Sequence, residues 1–433
     1  MIPKINFNPQ ASKDDLSYKF YNANQVIGNK TMSEHLRIAV CYWHNFCWYG
    51  NDAFGNSVRF IPWRDKDPII ESYNKVDAIF EFIQTLDVPY FTFHDVDVAP
   101  YEDDINKFIL GFYKVVDYIE KHMEKTNIKL LWGTANLFSH KRYLAGAATN
   151  PDPEIFSCAA TQVKHALEVT HRLKGENYVL WGGREGYDTL LNTDIGKEKD
   201  QLARFLSLVV EHKYKIGFKG SLLIEPKPCE PTKHQYDYDT ESVYGFLIKH
   251  NLHKEFKVNI EANHATLANH SFEHEVSVAC SMNFMGSIDA NRGDPQNGWD
   301  TDQFPNSIEE MSLVIYRLLL NGGFTNGGFN FDSKVRRQSI NLDDMFYGHI
   351  GGIDVLARSL IIANKMKNDA LLEKIVKNRY SKWDSNLGKS IMSGVVNISD
   401  LSLYINNIKD RLISPASGKQ EMIENIITRY IHE

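Results

Sequence analysis

The chain has 433 residues, of which 43% are hydrophobic, so it is long enough to bury one large core or two moderate ones. Its formal net charge is −7, and its lysines and arginines are scattered, which argues against a nucleic-acid partner. Five widely spaced cysteines predict reduced thiols in a cytoplasmic protein, and no apolar run approaches the roughly 20 residues of a membrane span.

Eight short apolar segments predict eight buried strands in chain order. They are residues 37–43, 88–94, 128–133, 178–182, 221–225, 257–261, 286–289 and 328–332. Segments between them have the 3.6-residue period of amphipathic helices, for example Val76, Ile79, Phe80 and Ile83. Strand and helix alternating eight times predict an α/β fold, a (β/α)8 TIM barrel, with an open doubly wound sheet as the alternative.

Two regions lie outside the predicted catalytic barrel of residues 37–355. Residues 1–36 are polar and mixed in composition, which predicts an N-terminal extension over the surface. Residues 356–433 have helical periodicity and no strand pattern, which predicts a helical C-terminal arm. An arm beyond a closed barrel has little of that barrel left to cover, so we expect it to pack on a neighbouring subunit.

Each of the last four predicted strands ends in a carboxylate. These residues are Glu225, Glu261, Asp289 and Asp332. Barrel strands end at one rim, and a buried carboxylate is costly unless it is paired or bound to a cation. Helix capping or pairing with lysine would explain one or two of these residues, but not four in matching places. The pattern therefore predicts a metal site.

Three further candidate ligands follow the same strands. His264 comes three residues after Glu261, and Asp300 and Asp302 lie two apart in one loop. Six carboxylates and one imidazole are too many for one ion, so we expect two divalent cations that share a bridging carboxylate. The oxygen-rich set favours Mg²⁺, Mn²⁺ or Co²⁺ over structural Zn²⁺, and two such ions can polarise adjacent substrate oxygens.

Other polar side chains are expected at the same rim. Lys227 faces the same way as Glu225, either as a charge balancer or as a donor to a substrate oxygen that gains charge. His94 ends the second strand, and Asp97 can fix its tautomer for proton transfer, although such a pair is also common as a structural feature.

Four tryptophans lie near the ends of the first, third and fourth predicted strands. They are Trp43, Trp48, Trp132 and Trp181. Such residues are typical of core packing. They equally suit a wall against the C–H faces of a sugar, which would exclude water from the site.

Seven motifs, in consistent order over roughly residues 35–340, resemble the xylose isomerase family. They are 94–97 (HDVD), 181–186 (WGGREG), 224–228 (IEPKP), 260–264 (IEANH), 286–291 (GSIDAN), 298–302 (GWDTD) and 329–332 (FNFD). The extended N-terminal region and the Tyr42-Trp43-His44 sequence resemble the longer class of that family. No candidate ligand departs from the family pattern.

The resemblance implies a homotetramer that interconverts D-xylose and D-xylulose, and usually D-glucose and D-fructose, by a hydride shift between C2 and C1. It also implies two metal ligand sets that share Glu261. The first set is Glu225, Glu261, Asp289 and Asp332. The second set is Glu261, His264, Asp300 and Asp302.

Roles for the remaining candidates follow from the same resemblance. His94, oriented by Asp97, would assist opening of the cyclic sugar, and Lys227 would contact the first oxygen of the substrate. Trp181 would form a wall of the sugar pocket, and Phe54 would reach into the pocket of the adjacent subunit. Trp43 is expected in the same aromatic wall.

Several alternatives stay open at this point. The nearest is a related isomerase for another aldose, such as rhamnose. A metal-dependent hydrolase or repair endonuclease on the same fold would generally have more histidine ligands and a basic groove. A non-catalytic sugar-binding protein would be expected to have lost a ligand or Lys227. An enediol route with His94 as the base on carbon is the rival to the hydride shift.

Overall fold

The computed structural model describes residues 2–408 and 415–433. Eight parallel strands close into one barrel, and their order around it follows the order of the chain. The strands are β1 (Ala39–Cys41), β2 (Tyr90–His94), β3 (Lys129–Thr134), β4 (Asn177–Trp181), β5 (Ser221–Glu225), β6 (Phe256–Glu261), β7 (Met285–Asp289) and β8 (Phe329–Phe331). The predicted barrel is confirmed, and every predicted strand overlaps an observed one.

One long helix follows each strand. The helices are α1 (Pro68–Leu86), α2 (Ile105–Thr126), α3 (Pro153–Arg172), α4 (Ile195–Ile216), α5 (Thr240–Lys249), α6 (Phe272–Ser281), α7 (Ile308–Leu320) and α8 (Asp343–Asp369). In α1–α7 an aspartate or serine precedes the first turn, and its side chain accepts a hydrogen bond from a free backbone N–H group. Each such cap stabilises its helix by about 1 kcal/mol.

Shorter elements surround the barrel. Short helices follow three of the strands directly, at Trp43–Phe46, Asp95–Val98 and Ala262–Leu267, and another precedes β1 at Met32–Leu36. Two small antiparallel sheets pair Val26–Ile27 with Lys30–Thr31 and Gly186–Tyr187 with His234–Gln235. A 3₁₀ turn covers Lys141–Tyr143.

The barrel closes tightly because small residues let neighbouring strands approach. A Cβ atom on Gly327 would lie 1.9 Å from the carbonyl oxygen of Gly286, so only glycine fits just before β8. Side chains from the five consecutive strands β1–β5 form a buried hydrophobic cluster. The central cluster is Ala39, Tyr90, Leu131, Trp132, Val179 and Leu223. The barrel is therefore a packed core, and its functional surface lies at the strand ends.

The N-terminal segment is anchored by buried side chains, which its polar composition does not suggest. Tyr18 is fully buried and donates a hydrogen bond to the carbonyl oxygen of Leu86, at 2.7 Å. The Asp354 carboxylate accepts hydrogen bonds from the backbone N–H groups of residues 19–21. Aromatic burial and this one carboxylate hold the extension on the barrel.

The chain divides into two compact units, residues 1–360 and 361–433. In the second unit the helices are Leu371–Tyr380, Asn386–Met392, Ile398–Asn407 and Gln420–His432, with a 3₁₀ turn at Ser381–Asp384. Tyr430 in the last of them donates a hydrogen bond to Asp369, at 2.8 Å. Large apolar side chains of this unit are exposed, among them Met392, Val395 and Ile398.

One helix is longer and more apolar than the sequence analysis expected. By length and composition alone, α8 meets the criteria for a membrane-spanning helix. More than half of its most apolar window is buried within the protein, as is usual for a core helix. The expectation that no apolar run approaches the length of a membrane span is not contradicted, because Asp354 and Arg358 interrupt this helix and a core helix passes the same test.

Candidate metal centre

The carboxyl ends of the barrel strands surround a cavity of about 350 Å³. Eleven of the thirteen predicted site residues line it. They are Trp43, His94, Asp97, Trp181, Glu225, Lys227, Glu261, His264, Asp300, Asp302 and Asp332. Asp289 is fully buried next to this lining, and Phe54 lies outside the cavity. The parallel strands bring these residues together because each strand delivers its last side chain to the same rim.

One group of carboxylates joins the ends of three consecutive strands. Oxygen atoms of Glu261, Asp289 and Asp332 lie within 4.8 Å of one another. Asp289 accepts a hydrogen bond from Asn330, at 2.9 Å, through Oδ1. Its Oδ2 is buried and has no hydrogen-bond partner among the described residues. A buried carboxylate oxygen with no donor is a fitting ligand for a cation.

Glu225 adjoins this group at the end of β5. Ligand atoms of Glu225, Glu261 and His264 also lie within 4.8 Å of one another. Asn259 donates a hydrogen bond to Glu225 Oε2, at 2.9 Å, and so fixes the rotation of that carboxylate. Burial raises the pKa of Glu225 above its ordinary value.

A second group lies on the other side of Glu261. Oxygen atoms of Glu261, Asp300 and Asp302 are within 4.8 Å of one another. His264 Nε2 is 3.1 Å from Glu261 Oε2 and 3.3 Å from Asp300 Oδ2. Asn291 donates hydrogen bonds to Glu261 at 2.8 Å and to Asp302 at 3.3 Å. Glu261 therefore belongs to both groups, as a bridging ligand would.

The crowding of these carboxylates changes their pKa values. Burial, and after it the charges of Asp300 and Asp332, raise the pKa of Glu261 well above its ordinary value. Burial and the neighbouring charge of Glu225 do the same to the pKa of Asp289. A cation bound among these carboxylates would relieve this repulsion, so the arrangement suits cation binding.

The charges fit two divalent cations. The two groups together with Glu225 contain six carboxylates, and two lysines pair with them, Lys227 of the cavity lining with Asp300 and Lys334 with Asp302. A protonated His44 adds a third positive charge beside Asp332. Four negative charges are left when His44 is neutral, and three when it is protonated. Two divalent cations would neutralise either number. The donor set is oxygen-rich with one imidazole, the composition that suits hard cations.

His94 and Asp97 form a close pair on the opposite wall. His94 Nδ1 is 2.9 Å from Asp97 Oδ2, which also accepts the backbone N–H of His94, at 3.2 Å. Burial would lower the pKa of His94, but the Asp97 carboxylate outweighs it and raises that pKa. The Trp43 ring packs 4.3 Å from the imidazole, measured between centroids. Nδ1 is held, and Nε2 is the nitrogen left for a ligand.

Lys227 is almost completely buried among anions. Its Nζ is 2.6 Å from Asp300 Oδ2 and lies 5.0 Å from the centroid of the Trp181 ring. Burial would lower the pKa of Lys227, but the charges of Asp300 and Glu261 raise it above the ordinary value. The side chain is therefore a fixed ammonium donor.

Aromatic rings form the remaining walls. Trp43, Trp132, Trp181 and Phe138 line the cavity. Trp43 also donates a hydrogen bond through Nε1 to Asp332 Oδ1, at 2.9 Å. Phe54 is 84% exposed, and its ring centroid is 6.1 Å from that of Trp299. A cavity with apolar walls and a charged floor fits a small polyhydroxylated ligand.

Two charged residues of the site, His44 and Lys334, were not predicted from the sequence. His44 Nε2 is 2.6 Å from Asp332, and Lys334 Nζ is 2.9 Å from Asp302. Burial would lower the pKa of His44, but Asp332 and Asp302 raise it to about 9. His44 is adjacent to Trp43, and Lys334 is two residues after Asp332, so proximity to predicted site residues was the available signal.

Comparisons with known proteins identify relatives of this chain. Residues 376–431 match a family model described as the XylA2 C-terminal domain. The chain is 56% identical over 432 residues to a xylose isomerase of Haemophilus influenzae strain PittEE, covering 100% of this chain and 98% of the relative. It is 56% identical over 433 residues to a xylose isomerase of Marinomonas sp. strain MWYL1, covering 99% of this chain and 98% of the relative.

Solved structures with the same architecture are more distant in sequence. A putative xylose isomerase from Rhodospirillum rubrum is 12% identical, with a TM-score of 0.52 over 74% of this chain and 98% of that chain. D-Psicose 3-epimerase from Clostridium cellulolyticum H10, solved with D-tagatose, is 12% identical, with a TM-score of 0.51 over 75% of this chain and 99% of that chain. At these identities the similarity supports the barrel fold alone.

Proposed function

The chain belongs to the xylose isomerase family, and we propose that it interconverts D-xylose and D-xylulose, and also D-glucose and D-fructose. The reaction opens the cyclic sugar and shifts a hydride between C2 and C1 of the open chain. One observation carries the proposal: two carboxylate groups that share Glu261 lie in one cavity with the His94–Asp97 pair and Lys227.

Two divalent cations, Mg²⁺, Mn²⁺ or Co²⁺, are the cofactors of this proposal. Glu225, Glu261, Asp289 and Asp332 would hold the first ion. Glu261, His264, Asp300 and Asp302 would hold the second. When bound, such ions polarise adjacent oxygens of the sugar and offset the negative charge that develops on them. The unpartnered Asp289 oxygen and the raised pKa of Glu261 support this assignment.

The proposed role of His94 is proton transfer during ring opening. Asp97 accepts the Nδ1–H of His94, so Nε2 is available in the cavity. From there it can pass a proton between the anomeric hydroxyl and the ring oxygen of the sugar. Asp97 itself acts by orientation and charge, because its oxygen is committed to the imidazole.

Lys227 is proposed to donate a hydrogen bond to the first oxygen of the open-chain sugar. Its ammonium is held by Asp300 and by the face of Trp181, so no reorganisation is needed when charge builds on that oxygen. Trp43, Trp132 and Trp181 exclude water from the reacting carbons, which favours transfer of a hydride over exchange of a proton with solvent.

The subunit arrangement and location are part of the same proposal. Phe54 lies outside its own cavity and is 84% exposed, which supports its insertion into the pocket of a neighbouring subunit in a homotetramer. The exposed apolar residues of the 361–433 unit support subunit contacts by that unit. All five cysteines are free, as expected in the cytoplasm. The net charge of −7 supports the absence of a nucleic-acid partner.

The test is a metal-restoration assay. Protein treated with EDTA should lose D-xylose isomerisation and regain it with two equivalents of Mg²⁺, Mn²⁺ or Co²⁺. Asp289→Asn should prevent restoration, whereas Asp117→Asn, which changes an exposed carboxylate paired with Arg172 on the outer helices, should not. Activity on L-rhamnose in place of both D-xylose and D-glucose would contradict the proposed substrate. Solvent tritium incorporated at C1 or C2 of the product would contradict the hydride shift.

A further inference from the structure

His44 touches one ligand from each of the two proposed metal sites. Its Nε2 is 2.6 Å from Asp332 Oδ1 and 3.3 Å from Asp302 Oδ2. Asp332 belongs to the first ligand set only, and Asp302 belongs to the second only. The side chain is 15% exposed. A single imidazole therefore lies between the two sites, outside the proposed ligand sets.

Asp332 is held in one rotation by two neighbouring residues. Trp43 Nε1 donates to the same Oδ1 atom that His44 contacts, at 2.9 Å. Both donors begin the short helix after β1, and β1 pairs directly with β8, which ends just before Asp332. With Oδ1 committed to these donors, Oδ2 is the oxygen left to hold an ion.

Asp302 is held from a different direction. Lys334 Nζ is 2.9 Å from its Oδ2, and Asn291 donates to its Oδ1 at 3.3 Å. The backbone of Asp302 has a φ of 46°, in the left-handed region that residues other than glycine seldom adopt. Such a conformation persists where the surroundings determine it. The Asp302 backbone carbonyl accepts the N–H of Lys334 at 2.8 Å, and His44 contacts the Asp302 side chain.

We propose that His44 is a positioning residue that couples the two metal sites by orienting Asp332 in one and Asp302 in the other. The inference rests on the proposed function, since it requires both cations. Groups that hydrogen-bond to metal ligands fix the orientation of those ligands, and their loss typically weakens metal binding by about 10- to 100-fold. Removal of His44 should therefore weaken both sites, although His44 binds neither ion.

The experiment is calorimetric titration of EDTA-stripped protein with Mn²⁺. His44→Ala should raise both dissociation constants by about 10- to 100-fold. His44→Gln keeps an N–H donor at a similar reach, and should restore affinity to within about threefold. His212→Ala is the matched control, because His212 is 17% exposed and lies 3.1 Å from Glu168 on the outer helices. It should bind Mn²⁺ as the wild type does.

Single-site backgrounds test the coupling directly. Asp300→Asn weakens the second set and leaves the first, and Asp289→Asn does the reverse. His44→Ala should lower the affinity of the remaining site in both backgrounds. An effect in only one background would overturn the bridging role. Failure of His44→Gln to restore affinity would also overturn it, because that outcome would make the imidazole a metal ligand. Thermal unfolding of each metal-free variant checks that it is folded.

The outcomes separate this inference from the proposed function. Wild-type affinities in His44→Ala, in a protein that isomerises D-xylose, would overturn the inference and leave the function standing. A second outcome is that His44→Ala binds Mn²⁺ more weakly, while the wild type binds two ions but turns over no aldose. That outcome would support the inference and overturn the function.

Discussion

Replacement of Lys227 by methionine should remove most of the turnover while both metal sites remain. The substitution keeps a chain of similar length and deletes an ammonium that is buried 2.6 Å from Asp300. Loss of one preorganised donor to a developing oxyanion typically lowers kcat by about 10²- to 10³-fold, equivalent to about 2.7–4 kcal/mol. Asp300 loses Lys227 but keeps the hydrogen bond that the Asn263 amide donates to its Oδ1, so its orientation and the metal affinity should be retained.

The assay compares kcat for D-xylose with Mn²⁺ affinity in the same preparation. Lys199→Met is the matched control, because Lys199 also lies over an aromatic ring, 5.5 Å from the centroid of Tyr236, on an outer helix. The control should leave both quantities unchanged. Turnover of Lys227→Met within a factor of about three of the wild type would refute the assigned role. If Lys227→Met lowers kcat only in proportion to a loss of Mn²⁺ affinity, the role of Lys227 as a donor to the substrate oxygen would be refuted as well.

Three further predictions follow from the pKa shifts. Asp97→Asn should lower kcat by about 10²-fold, and pH titration by NMR should find a lower pKa for His94; an unchanged pKa would contradict the role of Asp97. Because burial raises the pKa values of Glu261 and Asp289, protons compete with cations. Mn²⁺ affinity should therefore rise with pH, and activity should be lost below about pH 5 and regained with excess metal; full activity at pH 4 with stoichiometric metal would contradict this. Burial and the charge of Glu185 raise the pKa of Asp237 to about 7. A raised pKa in the folded state means that protonated Asp237 contributes to the free energy of unfolding. This contribution is fully present at pH values below the pKa of Asp237 in the unfolded chain, and it is lost as the pH rises through 7. Asp237→Asn should thus raise Tm at pH 8 more than at pH 5, and equal effects at both would contradict the assignment.

The sequence predicted the barrel because strand and helix alternation is a local pattern. The ends of the strands were less accurate, since residues 37–43 were expected as one strand and only Ala39–Cys41 is extended. From Trp43 the chain turns into a short helix, and that turn directs Trp43 and His44 to the carboxylates. Apolar composition does not separate a strand from the helical turn that follows it.

The candidate site was predictable where one residue type recurs at equivalent strand ends. That rule found Glu225, Glu261, Asp289 and Asp332, whose positions depend on the strand register alone. It could not find His44 or Lys334, because their partners are fixed by closure of the barrel and by the loop that contains Asp302. The metal roles of all these residues stay predictions until ions are titrated.

The closure of β8 against β1 has a consequence for synthesis of the protein in the cell. Trp43 and Asp332 are hydrogen-bonded although 289 residues separate them in the chain. A growing polypeptide therefore carries its first aromatic wall and several carboxylates long before Asp332 leaves the ribosome. The proposed pair of cation sites would be complete only on a finished barrel, so ions that meet the nascent chain would find scattered ligands. Metal selection would thereby be deferred to the folded protein.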